Sequence, residues 1–239
     1  MADFNSDCLA VLIDADNAQP IVAGELMAEI GRFGTATVRR AYGDWTTLNL
    51  NGWKEHLHTL AIQPIQQFRL TNGKNATDSA LIIDAMDLLH GGRVDGFCLV
   101  SSDSDFTRLA TRIRESGLSV YGFGEKKTPK PFVAACNRFI FTEILKSPTE
   151  PSASLPAGQS SLESILTGAV AAAAGEDGWA FLGAVGNLVN KANPEFDPRN
   201  YGKKKLGELV KSLPYLEVRS QPIADGSPTV HILVRVKET

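Results

Sequence analysis

Cysteine is scarce in this sequence, which has three such residues among 239. Cys8 and Cys98 stand in strand-like apolar runs and Cys136 in a helix-like one, and no pair has the Cys-x-x-Cys spacing of a zinc or redox site. This pattern predicts buried free thiols and disfavours a disulfide framework. Because such thiols are typical of a reducing compartment, we expect a cytoplasmic protein.

Long apolar runs are also missing, since none approaches the roughly 20 residues that a membrane-spanning helix needs. The first residues, MADFNSDCLAVLIDAD, are acidic and lead directly into a strand-like segment, which predicts no signal peptide. Hydrophobic residues make up 43% of the chain and charged residues 21%. This is the profile of a soluble globular protein with one or two domains.

An excess of positive charge is absent as well. The 24 Lys and Arg residues face 27 Asp and Glu residues, so the formal net charge is −3. Bulk charge therefore gives no indication of a nucleic-acid partner, and any such binding has to rely on local basic patches. The glycine pattern GxGxxG is missing after the first strand, which argues against a dinucleotide-binding dehydrogenase.

Strand-like and helix-like segments alternate from the start of the chain to about Lys146. This alternation predicts an α/β domain with a mostly parallel sheet and helices on both faces. In such a sheet, ligands bind outside the carboxyl ends of the strands, where the strand order reverses. The predicted strands are Leu9–Ile13, Thr35–Tyr42, Ala61–Gln67, Phe97–Ser101, Leu118–Phe123 and Arg138–Thr142, and the predicted helices are Pro20–Phe33, Leu48–Leu60, Asp78–His90, Phe106–Ser116 and Pro131–Cys136.

The composition changes after Lys146. The run KSPTEPSASLPAGQSS has three prolines, many serines and no hydrophobic period, so it predicts a mobile linker over residues 147–160, between domains at 1–146 and 161–239. Three helical patterns follow, in SLESILTGAVAAAAG, AFLGAVGNLVNKANP and NYGKKKLGELVKSLP, and two strand-like stretches, YLEVRSQ and TVHILVRVK, end the chain. Three helices and a two-stranded wing predict a small winged-helix domain.

Carboxylates follow two of the predicted strands. Asp14, with Asp16 and Asn17 close behind it, ends the first strand in VLIDADNA, and Asp103 and Asp105 follow the fourth strand in FCLVSSDSDF. Acids at the end of a buried strand repel each other and are costly to desolvate, so they need an explanation. The first and fourth strands are the expected neighbours where the strand order reverses. We therefore expect these acids to lie close together.

A third segment, NATDSALIIDAM, places Asp78 in the first turn of a helix that Asn75 can cap. Asp84 comes six residues later, about 240° around the helix, so we expect its side chain to face elsewhere. The candidates for one acidic pocket are therefore Asp14, Asp78, Asp103 and Asp105.

Such a pocket needs a compensating cation. An all-oxygen ligand set without histidine favours Mg²⁺ or Mn²⁺ over zinc. One or two such ions can orient a phosphodiester, generate hydroxide from water and stabilise the leaving oxygen, which is the chemistry of a metal-dependent nuclease. The competing interpretation is local: Asp103 caps the helix near Phe106, and the helix dipole favours Asp105 in its first turn. Asp14 and Asp103 both follow buried apolar runs, which capping alone does not explain.

The segments VLIDADNA, NATDSALIIDAMDLL and FCLVSSDSDFTRLATRIRESGLSVYGFG together resemble the NYN branch of the PIN-like nuclease superfamily, the LabA-like and limkain-like group. The resemblance covers Leu9 to Glu143 and implies a Rossmann-like PIN fold with Mg²⁺- or Mn²⁺-dependent cleavage of RNA. It implies metal ligands at Asp14, Asp78 and Asp103, with Asp105 as a further ligand or a water-orienting base.

The same resemblance suggests RNA-binding positions beside the acids. Asn17 accompanies the first acidic motif. Ser102 stands where relatives often have a glycine. The run NGKNATDSA, which contains Lys74, stands where relatives often have a Lys-Gly-Val-Asp type of sequence. Because they lie in or beside the acidic motifs, Asn17, Lys74 and Ser102 are candidate substrate-binding residues.

The second domain resembles the OST-HTH module, also called LOTUS, which often accompanies NYN domains. The similarity is carried by GWAFLGAVGNLVNKANPEFDPRNYGKKKLGELVKSL and the closing strand HILVRVK. Its most specific part is FDPRNYGKKKLGELV, Phe196 to Val210. The resemblance implies RNA binding or the docking of a protein partner.

Arginines and aromatic rings near the second strand are candidate RNA contacts. Arg39 and Arg40 are expected at the end of that strand, with Tyr42 and Trp45 following in the loop. Arginine can clamp a phosphate, and an exposed ring can stack on an unpaired base. The alternative, a solvated arginine and a core tryptophan, is equally consistent with the sequence.

Two groups of lysines are further candidates. Lys126 and Lys127 lie in the loop GEKKTPKP after the fifth strand, at the expected ligand-binding edge of the sheet. Lys203 and Lys204 are expected to start a helix, where a cation opposes the helix dipole and therefore indicates a phosphate contact. Solvation of a loop and of an amphipathic helix are the simpler interpretations.

The sequence thus favours a ribonuclease for single-stranded or structured RNA, tethered to an RNA- or partner-binding module. A haloacid-dehalogenase-type phosphatase is one alternative, because VLIDADN contains an Asp-x-Asp in which Asp14 would be the nucleophile and Asp16 the general acid. No convincing strand-end Ser or Thr and later Lys accompany it. An RNA-binding adaptor without catalysis is the other alternative, because only geometry decides whether the carboxylates cooperate.

Overall fold

A computed structural model describes residues 7–68, 76–146, 159–222 and 230–237. The chain divides into two compact units, residues 1–147 and 148–239. Each unit has a hydrophobic core of its own. Within the described ranges, no helix combines the length and the apolar character that crossing a membrane requires.

The first unit alternates strands and helices, as the sequence predicts. Its main elements are β1 (Cys8–Asp14), α1 (Ala23–Ile30), β2 (Thr35–Gly43), α2 (Lys54–Thr59), β3 (Gln63–Gln66), α3 (Ala76–Gly91), β4 (Gly96–Val100), α4 (Thr107–Glu115), β5 (Ser119–Gly124), α5 (Lys130–Ala135) and β6 (Arg138–Phe141). Single 3₁₀ turns lie at Pro20–Val22, Leu48–Trp53, Ser104–Phe106 and Thr142–Ile144.

The six strands form one parallel sheet in the order β3-β2-β1-β4-β5-β6. The prediction of a parallel α/β sheet is therefore confirmed. The order reverses between β1 and β4, which pair up to Ile13 opposite Val100. Asp14, the last residue of β1, and Ser101, the residue after β4, therefore lie side by side at the carboxyl edge of the sheet.

Helices cover both faces of this sheet, and β1 shows why. Its residues from Leu9 to Ile13 are fully buried and alternate between two core clusters. Leu12 packs with α3, α4 and α5, whereas Val11 and Ile13 pack with α1 and with Trp53. A continuous apolar run is typical of a central parallel strand, and each such side chain contributes about 1.5–3 kcal/mol by burial.

Several predicted boundaries are wrong by a few residues, for local reasons. The strand predicted from Ala61 begins only at Gln63, because Ala61 has a φ of 50°, outside the extended region. The helix predicted to reach Phe33 ends at Ile30, followed by Gly31 and a turn. The second predicted strand extends further, to Gly43, because that residue pairs with Gln66 of β3.

The second unit contains three helices and a small antiparallel sheet, which confirms the predicted winged-helix architecture. Its elements are α6 (Gln159–Ala173), β7 (Ala180–Phe181), α7 (Leu182–Ala192), a 3₁₀ turn (Pro198–Tyr201), α8 (Leu206–Lys211), β8 (Leu216–Pro222) and β9 (Val230–Val236). The strand order is β7-β9-β8. The two-residue strand β7 is not evident from the sequence, because two residues are too few to show an alternating pattern.

The third helix of this unit starts later than predicted. It begins at Leu206, so Lys203 and Lys204 precede it and the prediction that they start the helix is wrong. Gly202 has a φ of 72° and ends the preceding 3₁₀ turn in the left-handed conformation, and Lys205 is extended. The helix therefore cannot include Lys203 and Lys204. Most of the predicted linker, residues 147–158, lies outside the described residues.

Candidate active site

Three segments bring carboxylates to the carboxyl edge of the parallel sheet. Asp14 is the last residue of β1. Asp103 and Asp105 lie in the turn that follows β4, and Asp78 lies in the first turn of α3. These are the four acids that the sequence singles out. The predicted helix cap Asn75 and the candidate Lys74 fall outside the described residues.

Asp78, Asp103 and Asp105 form a cluster with the geometry of a cation site. Each offers one carboxylate oxygen, and these three oxygens lie within 4.8 Å of one another. Asp78 is 9% exposed, whereas Asp105 is open to solvent. Oxygen atoms at such separations can share one Mg²⁺ or Mn²⁺, whose oxygen ligands lie about 2.0–2.2 Å from the ion.

Asp14 lies outside that cluster and is 0% exposed. Its Oδ2 accepts hydrogen bonds from the Asn17 side-chain amide at 2.8 Å and from the Ser101 hydroxyl at 2.8 Å. Its Oδ1 is buried and accepts no hydrogen bond from any residue that the structure describes. A buried carboxylate oxygen without a partner costs about 1–3 kcal/mol or more, and a nearby cation would relieve that cost. The residues present therefore fit a divalent cation.

The charges of these acids affect one another, as the pKa shifts of Asp78 and Asp14 show. Burial raises the pKa of Asp78 from 3.8 to about 6, and the charge of Asp14 adds to the effect, followed by those of Asp103, Asp105 and Asp16. Burial also raises the pKa of Asp14, although its two hydrogen-bond donors oppose the shift. Carboxylates held together against these costs are typical of a functional site.

The capping interpretation of Asp103 is also confirmed. Asp103 Oδ1 accepts a hydrogen bond from the backbone N–H of Asp105 at 2.9 Å and caps the 3₁₀ turn that leads into α4. Capping and clustering coexist in this residue, because a carboxylate has two oxygens. On the other side of the site, Asp16 accepts a hydrogen bond from the Thr77 hydroxyl at 3.0 Å, which ties the end of β1 to the start of α3.

Ser101 is a site residue that the sequence reasoning missed. Its buried hydroxyl donates to Asp14 Oδ2 and accepts from the backbone N–H of Asp103 at 3.0 Å. One side chain thereby fixes the acids of β1 relative to those that follow β4. The signal in the sequence is its position directly after Val100, beside Asp14 in the register of two neighbouring strands.

We expect Ser101→Ala to destabilise the protein by about 1.5–3 kcal/mol, because it removes a buried hydrogen bond to a charged group. Urea denaturation in the presence of EDTA measures this change. Ser104→Ala is the matched control, since Ser104 is exposed, and we expect an effect within about 0.5 kcal/mol. Equal effects of the two substitutions would show that Ser101 does not hold the acids in place.

A cleft of about 250 Å³ opens beside Asp103 and contains three of the predicted RNA-binding residues: Asn17, Ser102 and Lys127. The Ser102 hydroxyl accepts a hydrogen bond from the backbone N–H of Glu125 at 2.8 Å. Lys127 is exposed and pairs with Glu125 at 2.7 Å. The lining of the cleft therefore combines one acid of the cluster, Asp103, with a lysine that can contact a phosphate.

The predicted location of Arg39 and Arg40 at the end of β2 is wrong. The strand continues to Gly43, and these two residues lie in its middle, opposite Val11 and Leu12 of β1. Arg39 donates to the backbone carbonyls of Ala36 and Leu60, so its guanidinium has a structural role in this unit.

Arg40 and Tyr42 also have partners within this unit, because both side chains contact Asp84 of α3. Arg40 forms an ion pair with Asp84 at 2.9 Å, and the Tyr42 hydroxyl donates to the same carboxylate at 2.8 Å. Tyr42 is fully buried and cannot stack on a base. The expectation that Asp84 faces away from the acidic pocket is confirmed. We leave both arginines out of the RNA-binding residues proposed below.

The remaining candidate lysines lie on the surfaces of the two units. The backbone N–H of Lys126 donates to Glu143, and its side chain is exposed. In the second unit, Lys203 is half-buried and Lys204 is exposed, and the backbone N–H of Lys204 donates to Glu208. These contacts give no indication of phosphate binding, so the role of the three lysines in RNA binding stays a prediction.

Two families match the chain in order. The NYN domain model matches residues 9–145, which is more than half of the chain. The OST-HTH/LOTUS domain model matches residues 154–227. No curated protein matches the chain.

Three solved structures are similar to parts of it. A protein of unknown function from Vibrio parahaemolyticus is 17% identical, with 58% of this chain and 94% of that chain covered and a TM-score of 0.49. An uncharacterized protein from Nitrosomonas europaea is 33% identical, with coverage of 39% and 90% and a TM-score of 0.31. A protein from Chromobacterium violaceum is 33% identical, with coverage of 37% and 87% and a TM-score of 0.27. From the family matches and the fold, we conclude that the chain belongs to the NYN domain family and that an OST-HTH/LOTUS domain follows its NYN domain.

Proposed function

We propose that this protein is a ribonuclease that depends on Mg²⁺ or Mn²⁺ and that its OST-HTH/LOTUS domain binds RNA. The observation that carries the proposal is the cluster of Asp78, Asp103 and Asp105, whose oxygens lie within 4.8 Å of one another. The cluster stands at the carboxyl edge of the sheet where the strand order reverses, the position at which α/β sheets bind ligands. Membership of the NYN domain family supports a nuclease.

The acids have distinct tasks in this proposal. Asp78, Asp103 and Asp105 would hold the cation, and the nearby Asp14 would add its negative charge to the field at the site. A divalent cation bound there supplies Lewis-acid stabilisation of the charge that develops on a phosphodiester. Asp105, the most exposed of the three, would orient an attacking water and accept its proton. Asn17 and Ser101 hold Asp14 in one orientation.

The substrate would be an accessible RNA strand. Lys127 and Asp103 both line the cleft, so a phosphate that enters it from the cluster could also contact the lysine. The half-buried position of the acids requires the phosphate to approach closely, which unpaired or irregular RNA permits more readily than a regular duplex.

The phosphatase alternative is less consistent with the structure. It requires the Asp14 carboxylate to attack a phosphate directly, but this side chain is 0% exposed and one of its oxygens already accepts two hydrogen bonds. The second aspartate of that motif, Asp16, accepts a hydrogen bond from the Thr77 hydroxyl at the start of α3. We therefore retain the nuclease.

The direct experiment incubates the full chain with end-labelled single-stranded RNA in Mn²⁺, Mg²⁺ or EDTA. We expect fragments with the metals and intact RNA with EDTA. Binding of the RNA without cleavage under every metal condition would contradict the nuclease and favour an adaptor. Asp103→Asn, purified in the same way, is the control for copurifying nucleases.

Lys127→Ala tests the cleft. If Lys127 contacts a substrate phosphate, the substitution raises the KM for RNA about 3- to 10-fold and leaves kcat within about 2-fold. Steady-state cleavage at two salt concentrations provides the measurement. Arg93→Ala is the control, because Arg93 is exposed and precedes β4 at the opposite edge of the sheet. An unchanged KM for the Lys127 variant would remove this residue from the substrate path.

A further inference from the structure

The sheet of the second unit has an outer face that its core does not use. Leu216, Val218 and Val234 point inward and pack with the helices. Residues directly opposite each other in antiparallel strands share a face. The outer face therefore carries the alternate positions, which pair as Glu217 with Arg235, Arg219 with Leu233, Gln221 with His231 and Phe181 with Leu233. We call these residues, together with Trp179, the wing face.

Two guanidinium groups on this face lie against one indole ring. The guanidinium carbon of Arg219 is 4.4 Å from the centroid of the Trp179 ring, and that of Arg235 is 4.8 Å from it. Arg235 also pairs with Glu217 at 2.8 Å. Within the described residues, no carboxylate pairs with Arg219, which is exposed. Its charge is thus held in place by the ring and stays available to an anion.

An exposed aromatic pair extends the wing face toward β7. Phe181 is 54% exposed, and its ring meets the imidazole of the exposed His231 edge to face, at 5.2 Å between centroids. Leu233 lies between Phe181 and Arg219 and is only 4% exposed, because its neighbours cover it. A large apolar ring is thereby exposed on the same face as the cation of Arg219, with Leu233 between them.

From this arrangement we infer that the wing face is a binding site for single-stranded RNA, on which unpaired bases stack on Phe181 and Arg219 contacts the phosphates. The inference rests on the proposed RNA-binding role of the OST-HTH/LOTUS domain and assigns that role to one surface. Exposed rings on a small sheet can stack on splayed bases, and arginine guanidinium groups contact the backbone or stack on bases. A strand with unpaired bases fits this face better than a duplex, because bases inside a duplex cannot stack on Phe181.

The test measures the affinity of the full chain for RNA without cleavage. The parent carries Asp103→Asn and is kept in EDTA, and the probe is a fluorescent single-stranded RNA of mixed sequence, about 20 nucleotides long. Fluorescence anisotropy gives the Kd. We expect Phe181→Ala to raise the Kd at least about 5-fold, since stacking contributes about 1–3 kcal/mol per base. We expect Arg219→Ala to raise it similarly and to reduce its dependence on salt.

Two further variants separate stacking from charge and from general damage. Arg219→Lys keeps the positive charge but lacks the planar group, so we expect only partial recovery of the affinity. Lys211→Ala removes an exposed charge at the end of α8 and is expected to leave the Kd within about 2-fold. Circular dichroism of each variant checks that the exposed substitutions leave the domain folded.

Three results would overturn the inference. The first is a Kd within about 2-fold of the parent for both Phe181→Ala and Arg219→Ala. The second is an equal loss of affinity for a duplex of the same sequence, which would exclude base stacking. The third is a change of sedimentation coefficient for Phe181→Ala at unchanged Kd, which would make the wing face a contact between copies of this chain. Failure of the nuclease proposal appears separately, as intact RNA when the wild-type chain is incubated with Mn²⁺.

Discussion

Replacing Asp103 by asparagine is expected to reduce metal-dependent RNA cleavage at least about 100-fold, because it removes one carboxylate from the proposed cation site. The substitution is conservative for the fold. Asparagine has the same shape and retains the oxygen that caps the turn after β4 by accepting the backbone N–H of Asp105. The loss of activity would therefore report the missing charge and not a displaced helix.

A matched control for Asp103→Asn is Asp87→Asn. Asp87 is an exposed acid on the outer side of α3 and lies outside the cluster, so the control makes the same change of charge in the same unit. We expect its initial rate of cleavage of labelled RNA to stay within about 2-fold of wild type. Cleavage by the Asp103 variant at the wild-type rate would identify a contaminating nuclease or a different active site.

The second large effect concerns stability without metal. At pH 7.5 in EDTA, Asp78→Asn is expected to raise the free energy of unfolding by about 1–3 kcal/mol. The folded protein holds the Asp78 carboxylate in a buried position among other acids, and its pKa is raised from 3.8 to about 6. The ionised form is therefore penalised in the folded state and not in the unfolded chain. Asparagine removes the penalty.

The pH dependence follows from the sign of this shift. Below about pH 4 the carboxyl group is protonated in both states, and the penalty is absent. As the pH rises from about 4 to about 6, the unfolded chain loses the proton first, so the wild type loses stability relative to Asp78→Asn. Above about pH 6 the difference is constant. Urea denaturation of both proteins from pH 4 to pH 8 in EDTA measures it.

Added Mn²⁺ should stabilise the wild type more than it stabilises Asp78→Asn. Mn²⁺ bound to the cluster offsets the repulsion in the wild type and stabilises the folded state by mass action, whereas the asparagine variant has lost a ligand. We therefore expect Mn²⁺ to raise the Tm of the wild type more than that of Asp78→Asn. A variant that is less stable than wild type in EDTA, or a difference that does not change with pH, would show that Asp78 carries no penalty.

The acidic site could be predicted because its position depends on features that short segments show. The buried runs before Asp14 and Asp103 mark the ends of two strands, and alternation with helices makes those strands parallel. Parallel strands end at one edge, so their acids converge whatever the details of the packing. The first turn of α3 is a local feature as well, which made Asp78 predictable.

Other features depend on pairing or on the backbone conformation of a single residue. Ser101 is important because its strand is in register with β1, and a serine after a strand is otherwise unremarkable in a sequence. The contacts of Arg39 and Arg40 involve segments distant in the sequence, since Arg39 donates to the Leu60 carbonyl and Arg40 pairs with Asp84. The late start of α8 follows from the left-handed conformation of Gly202, which precedes three lysines with good helix propensity.

The most direct test of the account is a crystal of the protein soaked in Mn²⁺ and measured at the absorption edge of manganese. We expect an anomalous peak about 2.0–2.2 Å from carboxylate oxygens of Asp78, Asp103 and Asp105, and the loss of that peak in crystals of Asp103→Asn. An empty cluster at Mn²⁺ concentrations that support cleavage, or a peak bound by other residues, would contradict it.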